Sequence, residues 1–141
     1  MAIPAARETI LCCRQHLARR KRFTLETTLA GDGAMGILRK TTVAKYRTHL
    51  VHVSLRDSEL DIDWMRFRVL VGGHDIADAD VRRRYGRSLA RVPEALRSAD
   101  SAIVLDNLGF QPLRMLMVEG GCVVWQARAL PEWFRRLMQM L

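Results

Sequence analysis

Apolar positions recur at helical spacing from the start of the chain. Between Pro4 and Arg22 the residues Ala6, Ile10, Cys13 and Leu17 are four, three and four apart, which puts one apolar stripe on a helix. Pro4 suits a first helical turn, and Arg19-Arg20-Lys21-Arg22 suits the negative end of the helix dipole. Phe23 to Leu29 then reads as a short strand rich in threonine, aromatic and aliphatic residues. It runs into Gly31-Asp32-Gly33-Ala34-Met35-Gly36, and a second helix is predicted from Ala34 to Lys45. Arg47 to Leu55 is the clearest strand. Val51, Val53 and Leu55 fall on one side of it and further apolar residues on the other, a pattern expected where both faces of a parallel sheet are covered.

Ser58 is a good N-cap, with Asp61 three residues on as an approximate capping box. Leu60, Trp64, Phe67 and Val71 repeat the four-three-four stripe, and Gly72-Gly73 stops the helix. Asp78 can cap the next helix, whose buried side is predicted to carry Val81, Tyr85, Leu89, Val92 and Leu96. Pro93 is expected to interrupt or restart it. The order then changes. Ala102 to Asp106 is a short strand, and Arg114–Glu119, Gly120-Gly121 and Cys122–Ala127 form a hairpin. A helix opened by Pro131, with Leu130, Phe134, Leu137 and Leu141 in register, closes the chain. Alternating helices and strands followed by a hairpin predict an α/β sandwich with a small antiparallel addition.

Composition narrows this only slightly. The 141 residues are one domain's worth, 49% hydrophobic and 27% charged, as in ordinary globular proteins. No stretch has the length and apolarity of a membrane span, and the start carries no signal segment, so the expected location is cytoplasmic. Cys12, Cys13 and Cys122 have no metal-ligand spacing and no nucleophile signature, and read as reduced thiols. His49 and His52 lie on a strand without carboxylate or cysteine partners, which argues against a metal. The net charge of +8 comes largely from arginine, clustered at Arg19–Arg22 and Arg82–Arg91. Such a surface attracts polyanions in general, and arginine suits bidentate phosphate contacts. The run at Arg19–Arg22 reads as a solvated helix end. Nucleic-acid binding has charge in its favour but no motif and little aromatic interleaving.

The segment richest in candidate chemistry is Gly72-Gly73-His74-Asp75-Ile76-Ala77-Asp78-Ala79-Asp80-Val81-Arg82-Arg83-Arg84-Tyr85. A glycine pair makes a joint, acidic residues stand at a helix start, and arginines fill its first turns, where anions are already favoured. The alternative is a solvated basic face, since Arg83, Arg87 and Arg91 lie about one turn apart.

This segment resembles the lid region of small zeta-toxin-like P-loop kinases. Further similarities stand in the same chain order: Phe23-Thr24-Leu25-Glu26-Thr27-Thr28-Leu29, then Ile103-Val104-Leu105-Asp106-Asn107, then Val123-Val124-Trp125 and Leu130-Pro131-Glu132-Trp133. The resemblance covers most of the chain. It implies an incomplete three-layer sandwich with a mostly parallel sheet, and an ATP- and magnesium-dependent transfer of phosphoryl to a small hydroxylated acceptor such as a nucleotide sugar. It places Glu26, Thr27 and Thr28 at the acceptor, Arg82, Arg83 and Arg84 in the lid over the phosphates, and Arg68 in support from the preceding helix. Asp106 and Asn107 would border the adenine pocket, where Leu108 replaces the family's small polar residue. His74 and Asp75 would brace the lid joint, and an antitoxin partner would follow by analogy. Successive helical residues point about 100° apart, so the three lid arginines cannot all face one ligand.

One part is missing. A P-loop kinase holds its nucleotide with Gly-x-x-x-x-Gly-Lys-Ser/Thr, and no such segment occurs; Gly31–Gly36 lacks the lysine and hydroxyl. By the family pattern that loop and the acceptor's activating acid would precede Met1, so little or no turnover is expected. The P-loop strand would sit between Phe23–Leu29 and Arg47–Leu55, and its removal would orphan backbone groups at about 1 to 3 kcal/mol each against a total stability of roughly 5 to 15. The flanking strands would then either close up or leave an unstable product. The alternatives are a non-catalytic remnant or interaction module, and a basic nucleic-acid-binding protein.

Overall fold

The computed structural model describes residues 2–54, 58–73, 76–107 and 109–141. Four strands form one open mixed sheet in chain order: β1 (His49–Ser54), β2 (Ser101–Asp106), β3 (Leu113–Glu119) and β4 (Cys122–Gln126). The helices are α1 (Ala2–Ala18), α2 (Asp32–Val43), α3 (Ser58–Leu70), α4 (Asp78–Ser98) and α5 (Glu132–Gln139). β1 and β2 are parallel, which requires a long crossover; α3 and α4 supply it. β2–β3 and β3–β4 are antiparallel, and the β3–β4 turn needs Gly120 and Gly121 at φ of 54° and 78°. The sheet is thus mixed rather than mostly parallel.

One face of the sheet makes the core. Leu50, Ala102, Val104, Leu116 and Val118 pack with Val92, Ala95 and Leu96 of α4, Phe134 and Leu137 of α5, Met35 of α2, and Leu29. Burying each of the larger side chains stabilises by about 1.5 to 3 kcal/mol. The stripe predicted on α4 is the one it buries. Pro93 neither interrupts nor restarts that helix but sits buried within it. The opposite face behaves differently from expectation: Val51 and Val53 are 61% and 50% exposed and Trp125 is 40% exposed. Among the described residues the helices pack on one face only, so β1 is not covered on both sides.

Other local expectations shift for identifiable reasons. Phe67 and Val71 of the predicted stripe are exposed, whereas Ile62 is buried and Met65 and Val69 are half-buried. Apolar residues occur on two sides of α3, and its packing against α4 selects the second. The side chains of Ser58, Leu60, Asp61 and Trp64 lie outside the described residues. Asp78 is not a cap; Ala77 is the N-cap residue, and Asp78 instead pairs with Arg66 at 2.6 Å.

Phe23–Leu29 joins no strand ladder. It runs past β1 with no backbone hydrogen bond between them. Contacts to its flanks hold it instead. The Tyr46 hydroxyl donates to the Lys21 carbonyl at 3.3 Å, the Phe23 and Tyr46 rings lie 6.3 Å apart, and Arg91 donates to the Leu29 carbonyl at 3.1 Å. The two segments expected to flank a strand have therefore not closed up.

Candidate functional site

The site begins at the joint between α3 and α4. The Gly73 N–H donates to the Arg68 carbonyl at 2.8 Å and the Gly72 N–H to the Val69 carbonyl at 3.0 Å, the paired bonds that end a helix on a left-handed residue. Gly72 is that residue, at φ 99°. A Cβ on Gly73 would stand 2.8 Å from the Arg68 carbonyl oxygen, so both glycines are structurally required. The Arg66–Asp78 ion pair then ties the end of α3 to the start of α4. His74 and Asp75 lie outside the described residues.

α4 ends beside the start of β2, so its first turns lie towards the carboxyl ends of β1 and β2. That is where α/β sheets place their clefts. A cavity of about 1130 Å³ opens there and extends along β1. Glu26, Thr27 and Thr28 line one side. Arg68, Gly73, Arg84 and Ser88 come from the two helices, and Ser54 and Asn107 from the strand ends. Residues 81 positions apart in sequence, Glu26 and Asn107, thus border one space.

The arginines divide as helical geometry demands. Arg84 lines the cavity; Arg82 and Arg83 do not, and Arg83 pairs with Asp80 on the helix surface. Arg68 and Arg84 make no ion pair with any described residue, which leaves two cationic groups for an incoming anion. Thr27 Oγ1 accepts from the Leu29 N–H at 3.1 Å and Thr28 Oγ1 from the Ala30 N–H at 3.4 Å. These bonds shape the turn and leave both hydroxyl protons available to donate. Arg91 braces the same turn by bonding the Leu29 carbonyl and the Asp32 carboxylate. Nothing in the sequence distinguished Arg91 from its neighbours, since its role depends on where the turn passes.

Asn107 is exposed at the cavity edge, its N–H bonded to the Ser54 carbonyl at 3.1 Å. Asp106 is buried, pairs in register with Ser54, and does not line the cavity. His52, on the covered side of β1, also borders the space. Burial lowers its imidazole to about 4, and its Nε2 has no partner. Alternation along β1 was the signal available for it.

No lysine lines the cavity, and among the described residues no group of three His, Cys, Asp or Glu side chains could hold a metal. The described residues do not fit a magnesium ion or the triphosphate cradle of a P-loop. They do fit an anion next to hydroxyl-bearing groups. No protein-family model, curated protein or solved structure matches this chain.

Proposed function

We propose that this chain forms the acceptor-and-lid side of a kinase-like phosphotransferase site. It binds a phosphorylated, hydroxylated small molecule, of which a nucleotide sugar is the nearest chemical model. The observation that carries this reading is the convergence of Glu26, Thr27 and Thr28 with Arg68, Arg84 and Asn107 on one cavity. The two arginines neutralise phosphate charge, and the carboxylate and hydroxyls take up sugar hydroxyls. Glu26 accepts from hydroxyl protons and sets which end of the ligand enters.

ATP and magnesium belong to this reading through the family resemblance alone. The chain lacks the lysine loop, and its described residues hold no cluster of metal-binding side chains, so no phosphoryl-transfer step is assigned to its own residues. Purified protein is expected to bind UDP-N-acetylglucosamine and to show no measurable ATP hydrolysis. Calorimetric titration tests the binding. Arg68→Ala and Arg84→Ala are each expected to weaken it about tenfold or more, the range for one charge-assisted hydrogen bond. Arg83→Ala should leave it unchanged, since Arg83 points elsewhere. Absence of binding, or equal losses at all three positions, would contradict the proposal.

A further inference from the structure

The contacts proposed for a small ligand use only part of the cavity's lining. Side chains from both faces of β1 line it, Leu50, His52 and Ser54 from one and Val51 and Val53 from the other. The space therefore runs along the strand's edge rather than over one face. Thr48 and Ser54 turn their carbonyls towards β2, accepting from Ser101 and Asn107 at 3.1 Å each. By alternation His49, Val51 and Val53 point their N–H and C=O groups to the free side. Across the cavity stands the Glu26–Leu29 segment, which makes no backbone bond to β1.

We propose that this groove takes a single extended peptide segment of a partner protein, apolar at alternate positions and acidic at the end beside Ser54. Volume supports it. A six-residue strand occupies about 950 Å³ at the usual rise, strand spacing and layer thickness, close to the roughly 1130 Å³ available. Glu26–Leu29 borders the same space as β1, so a second copy pairing through β1 would have to seat its own such segment there too, which argues against that pairing. Apolar positions match the groove's Leu50, Val51, Val53 and Leu89. Charge sets the polarity of the ends: among the described residues Arg68 and Arg84 lie without an ion-pair partner towards the carboxyl end of β1, against one carboxylate without such a partner at Glu26. Adding a strand to a free edge is an established mode of peptide recognition.

The probes are the acetylated, amidated hexapeptides Val-Thr-Val-Ile-Val-Glu and its reversed sequence, titrated into the full chain with backbone amide exchange read by NMR. One of the two orders should bind, slow exchange at Val51 and Val53 at least tenfold, and weaken about tenfold when its Glu is replaced by Gln. Arg84→Ala should erase the Glu–Gln difference. A fully N-methylated version keeps the side chains and loses the donors, so it should not bind, and this control leaves the protein untouched. Val51→Pro is the matching change on the protein side. Binding of neither order, binding that survives N-methylation, or concentration-dependent protection of Val51 without peptide would each overturn the proposal. The readout involves no nucleotide, so it stands or falls separately from sugar-nucleotide binding.

Discussion

His52 faces the covered side of β1 with its Nε2 unpartnered, and burial holds its imidazole down to about 4. Well above pH 6.5 the ring is neutral in folded and unfolded chains alike. As pH falls from 6.5 to about 4, the unfolded chain takes up a proton that the folded one refuses, so stability falls by roughly 3 kcal/mol. His52→Leu should flatten that part of a urea-midpoint-versus-pH curve; an unchanged slope would show that other groups cause it. The glycine pair gives a second prediction at this scale. Gly72→Ala should cost about 1 to 2 kcal/mol for its left-handed backbone. Gly73→Ala should also displace the Arg68 carbonyl, and with it the arginine, so it should lower both the melting temperature and ligand affinity. Equal affinity in wild type and Gly73→Ala would disconnect the joint from the site.

Arg91 joins α4 both to the Glu26–Leu29 segment and to the start of α2. Arg91 is mostly buried and bonds a buried turn's carbonyl, whereas its other partner, Asp32, is 96% exposed. A hydrogen bond from a charged group contributes roughly 1.5 to 3 kcal/mol, and an exposed ion pair at most about 1. Arg91→Ala should therefore destabilise by about 2 kcal/mol and speed amide exchange at Leu29 and Ala30, while Asp32→Asn should change little. Reversed magnitudes would mean that the ion pair holds the turn. This brace also shows where sequence patterns stop informing. The α4 stripe was readable because Leu89, Val92 and Leu96 face one core and Val81 continues their line, buried. On α3, apolar residues lie on two sides, and only the packing partner decides between Ile62 and Phe67. Phe23–Leu29 has strand composition, but a strand exists only with a hydrogen-bonded neighbour, which local composition cannot report.

At the scale of the molecule, helices cover one face of a mixed sheet, and the edge strand β1 borders an open groove. The α/β class, the β3–β4 hairpin and the closing helix were legible, because each rests on local turn chemistry or periodicity. The absence of a second helical layer among the described residues was not, since Val51 and Val53 look the same in sequence whether covered or open. The candidate site was legible in part: Glu26, Thr27, Thr28, Arg68, Arg84 and Asn107 meet, whereas Arg82, Arg83 and Asp106 lie off the cavity. The net charge of +8 attracts anions anywhere on the surface, so binding alone does not establish the site. Location does. The direct measurement is an amide NMR titration with UDP-N-acetylglucosamine, repeated on Arg84→Ala. The account predicts shifts concentrated at residues 26–29 and 84–89 and at Asn107, largely lost in the variant. Shifts confined to the basic run at 19–22, or unaltered by Arg84→Ala, would contradict it.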